Sequence, residues 1–379
     1  MRLKFKMETK YKQNKKNRFM KKNLFIAAAA CVALAACTKN EVKPVEVEQE
    51  ITYQTIDTKA ASSFASNRHF TSYAYMLPSG KTWDTEYASG SKYISDADIY
   101  YHNTDSKYEW KADKTYYWPK QGSLTFFAWS TYTTTKASLT DATVSCTQAK
   151  GIQVDKFDIT QNKNVDFLVA EVAKDKKANE TQHEDGSSHT WAKGVPTVFK
   201  HALSKLVFKV VTVKGGTPYS YTSDNVTFTV KSIKLKGVNN NLAYSQDWQS
   251  GNTASLHTWT DPTPLVEIEE IPVFTGEYVA TNSATALTPA TGDYSIVIPQ
   301  SFDADDVLEI IYEIKTEFIS GSPVTETVTI NNKKLSEVYT AKWEPGKEYT
   351  LTIKLGIDEV LWDPTLDDWA VGTTVDVTI

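Results

Sequence analysis

The segment Tyr116-Tyr117-Trp118-Pro119, followed after Gly122 by Leu124-Thr125-Phe126-Phe127-Ala128-Trp129, gives the clearest indication of the fold class. Aromatic residues in short apolar runs are typical of strands. Pro119 ends the first run, and Gly122 allows a turn into the second. We therefore predict two neighbouring segments of a β-sandwich whose aromatic rings fill the core.

Short alternating runs, separated by Gly, Asn, Asp and Ser turns, recur along the rest of the chain, and convincing long amphipathic helices are missing. This pattern predicts an all-β fold built from sandwiches. The other runs lie at residues 45–53, 70–76, 206–213, 226–235, 294–298, 307–314, 325–330 and 349–355.

A polar stretch at about residues 174–195 marks the clearest internal boundary, as a long hairpin loop or a linker. The chain from residue 37 onward is long enough for two domains, because single cores stop growing near about 250–300 residues. We predict a tether at 37–50, an N-terminal β-sandwich at 51–195 and a C-terminal β-sandwich at 196–379.

The first 36 residues have the parts of an export signal. Lys21 and Lys22 precede an apolar run at 24–34 that is shorter than the roughly 20 residues of a spanning helix. We therefore predict a signal peptide at 1–36. Met20 is an alternative start, because the basic stretch before it is unusually long.

Leu34-Ala35-Ala36-Cys37 at the end of this run is similar to a bacterial lipobox. The Cys37 thiol would receive diacylglycerol, and the new amino group would receive a further acyl chain. Because each buried methylene contributes about 0.8 kcal/mol, these chains would hold the protein on a membrane. Cys31 is a rival site with a weaker match, and an ordinary signal peptide is the remaining alternative.

The charge of the chain argues against nucleic acid as a partner. Without residues 1–36 it carries 31 basic and 45 acidic residues, a net charge of −14, whereas nucleic-acid binding needs a basic surface. Cys146 is then the one cysteine besides Cys37, so no intramolecular disulfide is expected, and stability must come from core packing.

Several motifs together resemble the fimbrillin (Mfa-like, type V pilin) family of Bacteroidales lipoproteins. The resemblance implies two tandem transthyretin-like β-sandwiches, a structural or adhesive subunit of type V fimbriae, no enzymatic activity, and no cofactor beyond the acyl chains on Cys37. Its expected partners are other fimbrillin subunits and, through the lipid, the outer membrane at the cell surface. The motifs are the opening segment, 165–170 (VDFLVA), 199–206 (FKHALSKL), 298–300 (IPQ) and 343–351 (WEPGKEYTL).

The resemblance also implies assembly by strand exchange, in which a protease removes an N-terminal strand and a neighbour's donor strand replaces it. Arg68 is the one arginine of residues 37–379, which makes Arg68–His69 the candidate cleavage site. Val375, Val377 and Ile379 share one strand face and form the candidate donor strand. The alternatives are an accidental arginine and an ordinary last strand.

A glycan-binding surface lipoprotein that does not polymerise is the second hypothesis, with a host or bacterial glycan or protein as its partner. Two or more exposed coplanar tryptophan rings would favour it, and buried rings would favour the pilin hypothesis. The candidates are Trp248, Trp259, Trp362 and Trp369.

We find no enzyme fingerprint in the sequence. Two acidic or histidine-rich segments contain metal-ligand types, but neither has a recognised ligand spacing. We interpret both as ordinary loops or turns. They are His183-Glu184-Asp185 with His189, and Asp303-Ala304-Asp305-Asp306.

Overall fold

A computed structural model describes residues 48–55, 64–103, 109–178, 194–213, 225–249, 257–261, 270–339, 342–356 and 360–369. Glu50–Ile379 forms one compact unit, which contains all the elements described here. Within the described ranges, no helix is long and apolar enough to cross a membrane.

Strands make up most of the described chain, and its helices are single turns. The helical turns are α1 (Trp83–Glu86), a 3-10 turn (Tyr87–Ser89) and α2 (Leu335–Val338). The strands are β1 (Tyr53–Thr55), β2 (Phe70–Leu77), β3 (Ser91–His102), β4 (Glu109–Ala112), β5 (Ser123–Ser130), β6 (Val144–Thr147), β7 (Gly151–Asp158), β8 (Leu168–Ala170), β9 (Ala173–Lys176), β10 (Val195–Thr197), β11 (Phe199–His201), β12 (Ser204–Thr212), β13 (Val226–Lys236), β14 (Asn241–Gln246), β15 (His257–Thr260), β16 (Ile271–Val279), β17 (Thr285–Ala286), β18 (Ile296–Val297), β19 (Val307–Thr316), β20 (Val324–Lys334), β21 (Lys347–Leu355) and β22 (Val360–Asp368).

These strands form four sheets in the described part of the chain. The largest has the order β10-β1-β4-β3-β2-β5-β8-β11, with β9 also paired to β5. The second has the order β17-β12-β21-β22, with β18 on β12. The third is β16-β13-β19-β20 and the fourth is β15-β14-β7-β6. The predicted all-β, sandwich-type fold is therefore confirmed, and the division at residue 195 stays a prediction.

The buried side chains form two apolar clusters. The larger contains Trp83, Phe127 and Trp343, and includes residues of all four sheets. The smaller is rich in aromatic rings and lies against the largest sheet around β1, with Phe70 and Trp110 among its members. Burial raises the pKa of the Cys146 thiol to about 12, so this cysteine is held as an unreactive thiol.

Two turn predictions agree with the backbone. Gly122 has φ +86°, and a Cβ atom there would lie 2.2 Å from the Leu77 carbonyl oxygen. Gly346 has φ +69°, as a tight turn after Pro345 requires. The segment before Pro119 differs from the prediction, because Tyr117 makes only an isolated bridge to Glu50.

Candidate functional site

The N-terminal strand β1 lies inside the largest sheet rather than at its edge. Tyr53–Thr55 pairs in parallel with Val195–Thr197 of β10, and Tyr53 also pairs with Trp110 of β4. Just before the strand, the Ile51 N–H donates to the Tyr116 carbonyl oxygen at 2.7 Å. Removing β1 would therefore separate β10 from β4 and leave both strand edges without a partner.

The side chains of this segment are part of the smaller core. Ile51 and Tyr53 are 3% and 4% exposed. The Tyr53 ring meets Phe70 and Phe126 edge-on at 5.5 and 5.9 Å, and its hydroxyl donates to Ser72 at 3.0 Å. Burial raises the pKa of the Tyr53 hydroxyl well above its ordinary value. The strand thus fills an apolar groove in addition to completing a sheet.

Gly194 permits β1 to approach this closely. Its φ is +111°, and a Cβ atom at this position would lie 2.7 Å from backbone atoms of Thr52 and Tyr53. The next residue, Val195, donates its N–H to the Thr52 carbonyl oxygen at 2.7 Å. A glycine is required here both by the backbone conformation and by the space available.

Phe64, which lies between β1 and β2 in the sequence, fills the same apolar groove. It is 6% exposed, and its ring stacks on Phe199 at 4.7 Å. Three further rings meet it edge-on at 5.3–5.9 Å, namely Phe70, Trp110 and Tyr132. Phe64 therefore lies at the centre of the aromatic cluster that also receives Tyr53.

The predicted cleavage site, Arg68–His69, lies in a turn immediately before β2. The Arg68 N–H donates to the Ala65 carbonyl oxygen at 2.9 Å, and the Arg68 guanidinium lies over the Tyr132 ring at 4.8 Å. The His69 N–H donates to the Thr133 carbonyl oxygen at 2.9 Å, and its ring nitrogen lies 3.1 Å from Asp98. Both residues are partly buried, so the bond is anchored on each side in the intact fold.

Because a protease binds several residues in extended form, cleavage at this anchored bond needs the turn to open. A cut there would break the covalent link between the segment with Ile51, Tyr53 and Phe64 and the rest of the chain. If that segment then dissociated, the groove that it fills would be lined by Phe70, Trp110, Phe126 and Phe199. Sequence reasoning selected Arg68 and His69 but missed Phe64 and Gly194. Phe64 is the one large apolar residue of the small, polar stretch at 60–67, which was the available indication.

At the other end of the chain, β22 is an edge strand paired with β21. Trp369 follows it, its ring stacks on His201 at 3.8 Å, and its backbone N–H donates to the Gly346 carbonyl oxygen at 2.9 Å. His201 is itself held by Asp166 at 2.7 Å. The predicted donor residues Val375, Val377 and Ile379 lie outside the described residues, as does Cys37.

The tryptophans proposed for glycan stacking belong to the core where they are described. Trp248 and Trp369 are buried. Trp259 is half-buried, donates to the Ala202 carbonyl oxygen at 2.9 Å and packs on Phe157 at 5.7 Å. The Trp362 side chain lies outside the described residues. These three rings therefore provide no exposed coplanar platform.

The acidic segment 303–306 is an internally bonded turn. The Asp303 N–H donates to the Asp306 carboxylate at 2.7 Å, and burial raises the pKa of that carboxyl group. In the described ranges, no group of three or more His, Cys, Asp or Glu side chains could hold a metal ion. His183, Glu184, Asp185 and His189 lie outside those ranges.

His257 gives the fold a pH dependence. Burial, and then the nearby His201 and Lys200, lower its pKa from 6.5 to about 3, and its ring bonds the Tyr244 hydroxyl at 2.8 Å. The unfolded chain therefore binds one more proton between these values, and stability present above pH 6.5 is lost as the pH falls toward 3. We expect a slope of up to about 1.4 kcal/mol per pH unit in this window.

Urea unfolding of the wild type and of His257→Gln, measured between pH 3.5 and 7, checks this expectation. In His257→Gln the slope of stability against pH should fall by the contribution of about one proton. Equal slopes for wild type and His257→Gln would contradict the assignment.

Comparison with known proteins supports the same family as the motifs. A family model described as fimbrillin-like matches residues 58–369. A fimbrial protein from Bacteroides vulgatus has a similar structure, with a TM-score of 0.60 at 17% identity over 85% of this chain and 100% of that chain. This similarity shows the fold alone, and a search of curated proteins finds no match.

Two further solved structures are only weakly similar to this chain, with TM-scores below 0.5. A candidate cell-adhesion protein from Bacteroides uniformis has a TM-score of 0.46 at 17% identity, over 86% of this chain and 100% of that chain. The tip fimbrial protein Mfa3 from Porphyromonas gingivalis has a TM-score of 0.33 at 10% identity, over 82% of this chain and 97% of that chain. The family model covers most of the chain, from residue 58 to residue 369, so the chain belongs to the fimbrillin-like family.

Proposed function

We propose that this protein is a non-enzymatic subunit of type V fimbriae that assembles by protease-triggered donor-strand exchange. The observation that carries the proposal is the position of β1 between β10 and β4. A strand in this position can be replaced by another strand without rebuilding the sheet, because main-chain hydrogen bonds supply affinity and side-chain pockets supply specificity. The other fimbrial subunits are then its partners.

The N-terminal segment that contains β1 also has the properties that a removable plug of this groove requires. Ile51, Tyr53 and Phe64 cover the groove until assembly, which protects apolar surface and strand edges from premature association. All three precede Arg68, so one cut would release the complete plug. The anchored geometry of Arg68–His69 would keep this cut slow until the turn opens.

The same proposal places the precursor at the outer membrane. Diacylglycerol and an N-acyl chain on Cys37 would hold it there, and cleavage after Arg68 would separate the folded part from its lipid. The segment with Val375, Val377 and Ile379 would supply the donor strand for the next subunit, with apolar residues at alternate positions for the groove pockets.

Digestion with an arginine-specific protease tests this proposal on the chain expressed from residue 38, which contains every described residue. We expect one cut, after Arg68, followed by oligomers that gel filtration and intact mass resolve. Arg68→Lys should stay uncut and monomeric under the same conditions. A cut chain that remains monomeric, or a chain that loses its fold on cutting without assembling, would contradict strand exchange.

Deleting residues 371–379 tests the proposed donor strand while leaving the acceptor groove intact. The deleted chain should still be cut after Arg68, but it should no longer assemble with itself. Assembly that survives the deletion would exclude Val375, Val377 and Ile379 as the donor. The described tryptophans give no specific support to the glycan-binding alternative, so we do not propose it.

A further inference from the structure

Strand β20 is an unusually open edge of the third sheet. It has eleven residues, pairs only with β19 among the described strands, and exposes eight of its eleven side chains. An exposed strand edge presents unpaired N–H and C=O groups that can pair with another chain. Long open edges of this kind are normally avoided, so this edge needs an explanation.

The other edge strands in the described sheets are protected. β16 and β22 have nine residues each, but β16 contains Pro272 and β22 contains Pro364. Because proline has no backbone N–H, each of these strands lacks one hydrogen-bond donor. The remaining edges are strands of four residues or fewer, too short to serve as templates. They are β6, β9, β10, β11, β15, β17 and β18.

The exposed part of β20 is regular over residues 324–330. The pairing with β19 shifts register only between Leu308 and Ile310, beyond this run. Val328 and Ile330 lie opposite Tyr312 and Ile310 and pack only partly against the core. A further strand beside β20 would complete the cover over these two side chains.

We propose that β20 pairs antiparallel with β20 of a second copy of this chain, about a two-fold axis at Thr327. The run is nearly palindromic in side-chain type, and a two-fold interface requires such self-complementarity. Threonines would face threonines on the outer face, which stabilises cross-strand pairs. The opposed residues would be Val324 with Ile330, Thr325 with Thr329, Glu326 with Val328, and Thr327 with itself.

Exposed apolar side chains are concentrated at the same place. Phe318, Ile319 and Val324, on the β19–β20 hairpin, are three of the six large apolar residues exposed in the described chain. In the proposed pairing they lie at the two ends of the interface, where burial of their apolar surface would add to the strand contacts.

The charge of Glu326 provides a specific test of the pairing. The two copies of Glu326 would lie diagonally on one face, about 7–8 Å apart, and repel each other. We therefore expect Glu326→Gln to tighten the dimer about threefold to tenfold. This association requires neither cleavage at Arg68 nor the C-terminal segment, so it extends beyond the proposed strand exchange.

Sedimentation equilibrium of the uncut chain from residue 38 tests the proposal. We expect a monomer–dimer equilibrium with a Kd of about 1–100 µM. Thr327→Lys, which places two lysines opposite each other on the axis, should weaken it at least about tenfold. Thr365→Lys makes the same change on the protected edge strand β22 and should leave it unchanged.

Three results would overturn the proposal: a wild type that stays monomeric at about 1 mM, equal effects of Thr327→Lys and Thr365→Lys, or a weaker dimer in Glu326→Gln. Because neither lysine replaces a buried side chain, circular dichroism should show both variants folded. The failure of this test would leave cleavage-triggered assembly untouched, since the uncut chain is measured.

Discussion

Replacing Phe64 by alanine is expected to lower the free energy of unfolding by about 3–5 kcal/mol. The ring is 6% exposed and stacks on Phe199, with Phe70, Trp110 and Tyr132 around it. Its loss removes apolar burial and leaves a cavity that these large rings cannot close without moving. Denaturant unfolding monitored by circular dichroism measures the loss.

The same substitution should accelerate cleavage at Arg68. Phe64 anchors the turn that holds Arg68–His69, so its removal lowers the cost of opening that turn locally. The rate of cutting by an arginine-specific protease measures this opening. Phe318→Ala is the matched control, because that ring is 53% exposed and should change stability by less than about 0.5 kcal/mol.

A Phe64→Ala protein with wild-type stability would show that the ring is not packed in solution. A protein that is destabilised but cut no faster would separate the aromatic cluster from the cleavage turn. Either outcome would remove the argument that Phe64 is part of a removable plug.

The sequence was sufficient for the fold class and for the turns that carry special backbone conformations. The run Leu124–Trp129 lies within β5 (Ser123–Ser130), because an apolar segment between turn residues has few alternatives in an all-β chain. Gly122 and Gly346 were recognisable since proline and glycine restrict or permit backbone angles locally. Such features depend on neighbours in sequence.

The site depends on neighbours in space, which is why most of it could not be predicted. Gly194 is critical only because Thr52 and Tyr53 approach it from a distant part of the chain. The anchoring of Arg68–His69 comes from Tyr132, Thr133 and Asp98. The open edge of β20 likewise appears only once the sheet order is known.

β3 illustrates the same limit for secondary structure. Ser91–His102 is the longest described strand, yet it contains Asp96 and Asp98, which disfavour strands in isolation. Asp96 has φ +53° and lies at a register irregularity with β2. Tertiary pairing with β2 and β4 overrides the local preference, so composition alone does not indicate this strand.

Gly194→Val should displace β1 from the groove without any protease. A side chain at this position would collide with the backbone of Thr52 and Tyr53, where a Cβ atom would already lie at 2.7 Å. The fold must move either β1 or the backbone at Gly194, since backbone atoms cannot yield as a flexible side chain could. The expected cost is about 3 kcal/mol or more.

Hydrogen exchange measures this displacement directly. The Val195 amide, which donates to the Thr52 carbonyl oxygen, should exchange at least about a hundredfold faster in Gly194→Val. Amides of β13 and β19 should keep their protection, because those strands belong to another sheet. Exposure of the groove should also make the uncut chain accept a synthetic peptide of residues 371–379.

Gly321→Val is the matched control, because its φ of +128° is similar but a Cβ atom there meets nothing within 4 Å. Both substitutions place a valine at a positive φ, so a large difference between the variants reports the collision with β1. One outcome would contradict β1 as the plug of an acceptor groove. In that outcome the Val195 amide of Gly194→Val exchanges no faster than in Gly321→Val, and Gly194→Val binds the peptide no more tightly. If only Gly194→Val bound it, loss of β1 would be sufficient to open the site, and the protease would serve solely to make that loss irreversible.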